Sequence, residues 1–130
     1  MNSESQIDFT KFEKALSTLE AALDPPPAND RERDGAIQRF EYTFEISWKS
    51  TMRVLLQQGV DTDSPKGIFR ELARLGWINN PEAWFKFLES RNKTRHNYEE
   101  LISNEVYAEV PKFAKEARKL LNTLKKKSKE

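Results

Sequence analysis

Apolar residues recur three and four positions apart in five stretches of this chain, and proline or glycine punctuates the gaps between them. Such spacing gives each stretch one apolar helical face, and no run alternates as a strand would. From Asp8 to Leu23 the stripe is Phe12, Ala15, Leu16, Leu19 and Leu23. Asp24-Pro25-Pro26-Pro27 ends it, because proline lacks an amide donor and restricts the residue before it. Asn29 or Asp30 can cap the next helix. Gly35 to Gln58 is the longest periodic segment, with Ile37, Phe40, Phe44, Trp48, Met52 and Leu55 in line and Tyr42, Ile46 and Val54 off it. A helix with apolar residues on a second face has more to bury than one neighbour covers. Either a second copy or partner packs there, or the helix is central in its own bundle.

Ser64-Pro65 is a cap followed by a first-turn proline; Ile68, Phe69, Leu72 and Leu75 then form a short apolar side that Gly76 closes. Asn80-Pro81 repeats the opening, with Trp84, Phe85 and Leu88 facing inward. Leu101, Val106, Val110, Phe113, Ala117, Leu120, Leu121 and Leu124 carry the last stretch, in which Pro111 marks a bend or lies in a fresh helix begun near Asn104. The economical architecture is all-α, an antiparallel four-helix bundle with an additional short helix. A length of 130 residues fits a single domain, 1–130, whose basic end at about 125–130 reads as a frayed, solubilising tail.

Twenty-two basic and 21 acidic groups leave a formal charge of +1, which argues against broad, non-specific nucleic-acid binding but permits a local basic cluster. The absence of cysteine removes disulfides, thiolate metal sites and cysteine nucleophiles. The opening MNSESQIDFT has no apolar run, so it is not read as a signal peptide, and no stretch is long enough for a membrane span. The cytoplasm is the expected setting.

Between the last two apolar stretches lies Arg91-Asn92-Lys93-Thr94-Arg95-His96-Asn97-Tyr98, a polar joint holding the chain's only histidine. Imidazole exchanges protons near neutral pH, and guanidinium presents a rigid fork suited to phosphate. On an unbroken helix Arg91 and His96 would sit about 7.5 Å apart along the axis and about 140° apart around it. They act as a unit only if the helix breaks near Asn92 to Thr94 and the turn folds back, or if a second copy across a two-fold axis completes the set. Arg95 and Tyr98, three apart, can share a face if the next helix has begun. The carboxylates Glu41, Glu45, Glu71, Glu99 and Glu100 show no ligand spacing and read as helix-surface charge, so no metal and no cofactor is expected. Phosphate-loop, dinucleotide, zinc-finger and serine-elbow patterns are absent.

Four groups of residues together resemble a known family. They are Arg39-Phe40-Glu41-Tyr42-Thr43-Phe44-Glu45 with Trp48-Lys49, Ser64-Pro65-Lys66, Trp84, and the joint from Arg91 to Tyr98. Across nearly its whole length the chain is similar to the HEPN superfamily and, within it, the nucleotidyltransferase substrate-binding proteins, which include toxins of HEPN–MNT toxin–antitoxin pairs. The resemblance implies a homodimeric helical bundle that cuts RNA without a metal, with Arg91 and His96 catalytic. Asn92 is then a helper at the phosphate, Lys93 and Arg95 add RNA-binding charge, and Tyr98 is the hydroxyl to which a cognate minimal nucleotidyltransferase adds AMP. The alternative within the family is a non-catalytic subunit that binds the nucleotidyltransferase and presents its substrate.

Overall fold

In the computed structural model, which describes residues 6–95 and 99–128, five helices follow one another and those residues contain no strand. They are α1 (Thr10–Leu23), α2 (Asp30–Gln57), α3 (Pro65–Leu75), α4 (Pro81–Thr94) and α5 (Glu100–Ser128). Helix α2 packs on α1 and α5, α5 also on α4 and α1, and the short α3 leans on α4. This is the antiparallel four-helix bundle with an added short helix that the periodicity implies.

Capping chemistry sets the boundaries. Asn29 accepts from the Glu32 amide at 2.9 Å, and Glu32 reaches back to the Ala28 amide at 2.8 Å, so α2 begins five residues before the apolar pattern does. Ser64 and Asn80 accept from the Gly67 and Ala83 amides, each with proline in the first turn. Gly59 and Gly76 adopt φ of 83° and 75°, the left-handed conformation that lets each chain end turn away.

One of the two alternatives for Pro111, and the reading of the basic end, need correcting. Helix α5 is one continuous element through Pro111, with no fresh start near Asn104. The basic end is not frayed through residue 128. Lys125 pairs with Glu13 at 3.2 Å, the Lys127 ammonium lies 5.8 Å from the Trp77 ring, and Gln58 donates to the Lys127 carbonyl.

On α2 the buried face also departs from the apolar line. Phe40 and Phe44 are buried, but Trp48 and Met52 are only half-buried, while Val54 and the small polar Thr43, Ser47 and Thr51 are enclosed. Each step of four residues rotates about 40° around a straight helix, so a stripe taken at steps of four has turned about 120° between Phe40 and Met52. Hydroxyls that meet carbonyls make the polar burial tolerable: Thr43 donates to Ala15, Ser47 to Phe44 and Thr51 to Ser47. At the centre Phe113 packs 5.2 Å from Phe40, 5.4 Å from Phe87, 5.7 Å from Trp84 and 5.9 Å from Phe44, mostly edge-on. This aromatic cluster is the floor on which the end of α4 rests. No helix among the described residues is long and apolar enough to cross a membrane.

Candidate functional site

The joint is not a connector over its whole length. Helix α4 runs through Arg91 to Thr94, and no break occurs near Asn92. Trp84, Phe87, Arg91 and Thr94 follow one another at spacings of three, four and three, so they continue a single inward face. Arg91 occupies a core position because its aliphatic stem packs as a hydrophobe does. The Thr94 hydroxyl donates to the Arg91 carbonyl at 2.7 Å and closes the last turn.

The Arg91 side chain is 8% exposed. Its guanidinium carbon lies 5.4 Å from the Phe44 ring centroid, and Nη1 donates to Glu45 Oε1 at 3.0 Å. Nε finds no acceptor among the described residues. Burial draws the Arg91 pKa below its usual value; Glu45 opposes that pull, while neighbouring Arg95 adds to it. An arginine stays charged under such a load, so the result is a buried cation with unspent donors.

One turn further on, Arg95 is 53% exposed and reaches the same Glu45 Oε1 at 3.4 Å. The second oxygen of Glu45 accepts from the Trp48 indole at 2.6 Å. Glu45 therefore joins α2 to the guanidinium of Arg91 in α4 and to that of Arg95 just past its end, although by spacing alone it reads as surface charge. Its i, i+3 relation to Trp48 is the one visible hint, since an indole N–H on a half-buried ring needs an acceptor.

The other candidates lie elsewhere. Asn92 points into an open groove of about 640 Å³ between α3, α4 and α5, with Phe85, Leu88 and Ile102 as its apolar lining and Lys66 on its rim. Lys93 borders that groove and is held between Glu89 at 3.7 Å and Glu105 at 3.6 Å. Arg91 and Arg95 are thus brought together, while Asn92 and Lys93 face another side of the helix. His96 and Tyr98 lie outside the described residues.

Similar proteins agree with this fold along most of its length. Residues 7–126 match the family described as nucleotidyltransferase substrate binding protein like. A Haemophilus influenzae protein named a probable ribonuclease HepT is 33% identical over 111 residues, covering 82% of this chain and 76% of its own. A crystal structure from Thermus thermophilus superposes with a TM-score of 0.81 at 34% identity, covering 87% of this chain and 98% of that one. A solved structure from Haemophilus influenzae, described as revealing the fold of a substrate binding domain of a nucleotidyltransferase, gives a TM-score of 0.79 at 30% identity over 91% of this chain and 99% of that one. With the family match spanning residues 7–126 and the superpositions covering most of both chains, this chain belongs to the nucleotidyltransferase substrate binding protein like family of the HEPN superfamily.

Proposed function

We propose that the protein is the toxin of a HEPN–MNT toxin–antitoxin pair, a cytoplasmic endoribonuclease that works without a metal. The observation that carries this reading is the pair of guanidiniums, Arg91 and Arg95, gathered on one carboxylate at the end of α4, directly before the chain's only histidine. The name of the Haemophilus influenzae relative supports it.

In this reading His96 takes the proton from a ribose 2′-hydroxyl as that oxygen attacks the adjacent phosphorus, and a proton is returned to the departing 5′-oxygen. The products are a 2′,3′-cyclic phosphate and a 5′-hydroxyl. Arg91 stabilises the charge that builds on the non-bridging oxygens. Arg95, the more exposed of the pair, meets the phosphate first, while Asn92 and Lys93 receive the flanking strand. A second copy of the chain completes the cleft, and the outer face of α2, where Tyr42 is 49% and Leu56 59% exposed, is its docking side. A partner nucleotidyltransferase adds AMP to Tyr98, and the added phosphates repel the RNA backbone from the basic cluster.

Purified protein is expected to cleave RNA in the presence of a chelator, and His96→Ala to abolish cleavage; undiminished cutting by that variant refutes the assignment. Incubated with its partner and ATP, the protein should gain AMP mass that Tyr98→Phe prevents. A second reading, a non-catalytic subunit presenting substrate to the nucleotidyltransferase, draws on the burial and ion pairing of Arg91. An intact, folded dimer that leaves RNA uncut would favour it.

A further inference from the structure

We propose that Glu45 is the positioning residue of this site, with its carboxylate locked by Trp48 so that Arg91 and Arg95 lie side by side for one phosphate. The proposal rests on the nuclease reading for its chemistry and on three contacts for its geometry. Oxygen Oε2 is committed to the Trp48 indole at 2.6 Å. Turned this way, the carboxylate meets the arginines through Oε1, which takes one N–H from each, at 3.0 and 3.4 Å.

That division of labour matters. A carboxylate free to turn would pair with a guanidinium through both oxygens, consuming the two-pronged fork by which arginine grips phosphate. Held by Trp48, Glu45 contacts Arg91 through a single N–H and leaves the rest of the fork unspent. Two guanidiniums against the one carboxylate they share leave positive charge to meet a phosphodiester, although Glu41 also acts on Arg91. The Phe44 ring packs against the Arg91 guanidinium, 5.4 Å from centroid to carbon, and adds a cation–π contact to its hold.

The test compares the wild-type protein with Glu45→Gln and Trp48→Phe on a short RNA, well below each melting temperature. Glu45→Gln removes a negative charge near the phosphate, so KM should stay level or fall, while kcat drops by up to about 100-fold as the guanidiniums lose their alignment. Trp48→Phe keeps every charge and should lower kcat about 3- to 10-fold with KM unchanged, a loss intermediate between none and full misalignment. Arginine side-chain N–H signals, recorded by NMR without RNA, should show the Arg91 guanidinium with hindered rotation in the wild type and freed in Glu45→Gln, while Arg118, held by Glu13 and Glu20, stays hindered in both. Unchanged kcat in the folded variants overturns the positioning role, since a merely structural part would move only the melting temperature. If Glu45→Gln fails to fold, Trp48→Phe decides. Wild-type protein that leaves RNA intact would overturn the nuclease reading instead, and the arginine signals would still decide whether Glu45 holds the pair.

Discussion

Removing one partner of the Arg91–Glu45 pair should be far costlier than removing the other. In Arg91→Met the buried charge disappears and an unbranched apolar chain takes over the packing of the stem. Glu45 is then left 30% exposed, still bonded to Trp48 and within reach of Arg95. The expected cost is about 0–1 kcal/mol, because the charge left behind is partly exposed and keeps its partners, so no unpaired buried ion results. In Glu45→Gln the guanidinium stays buried beside Arg95 without its counter-charge. Losing a charge-assisted bond to a desolvated group costs about 1.5–3 kcal/mol, and the exposed Arg95 contact adds less than about 1 kcal/mol. A total near 2–3 kcal/mol should lower the melting temperature of a domain this size by about 6–12 °C. Urea denaturation of both single variants and the double variant gives the coupling directly, which should be about 2 kcal/mol. Equal costs for the two single variants, or coupling near zero, would refute the view that the Arg91 charge is held in place by Glu45.

Other parts of the bundle make their own tests. Phe113→Ala empties the centre of the aromatic cluster and should cost about 3–5 kcal/mol in chemical denaturation, more than truncation of any half-buried aromatic residue. Hydrogen bonds from Arg118 and then Lys125 hold the Glu13 pKa below its usual 4.5, so its stabilising contribution is complete above that value and fades as pH falls through the lowered one. Glu13→Gln should therefore unfold more easily than wild type at pH 7, with the difference shrinking at pH 3; a gap that persists in acid would exclude the ion pairs as its cause. Placing charge on the outer α2 face, Tyr42→Glu with Leu56→Glu, should yield a folded monomer by analytical ultracentrifugation with RNA cleavage lost, and full activity in such a monomer would exclude a shared cleft.

Much of the fold is legible in the sequence because caps and apolar periodicity agree: Asn29, Ser64 and Asn80 each open a helix, and Gly59 and Gly76 each lie just past the end of one. The errors share a cause. Periodicity read only from apolar letters stops where several polar residues follow one another, so it starts α2 late at Gly35, after Asp30 to Asp34, and ends α4 early at Arg91. In both places the backbone continues, carried by a capping asparagine in one and by the aliphatic stem of an arginine in the other. Pro111 disrupts less than its residue type suggests, because α5 is held along its length by α2, α4 and α1.

The candidate site is half legible for the same reason. Residue types single out Arg91, but no local rule assigns it an acceptor 46 positions upstream, and Glu45 looks like any helix carboxylate until α2 and α4 are packed together. Burial then changes what the arginine is for. A guanidinium 8% exposed is a poor first contact for a polymer, whereas Arg95, at 53%, stands where a phosphate arrives. Arg95 should thus govern capture and its salt dependence, and Arg91 the rate of the chemical step. Arg95→Ala should raise KM and flatten the salt dependence of binding with kcat nearly kept, while Arg91→Met should lower kcat by about 100-fold or more at similar KM. The reverse pattern would mean that Arg91 comes out to meet the strand, and that its buried pairing with Glu45 is a resting state rather than the working geometry.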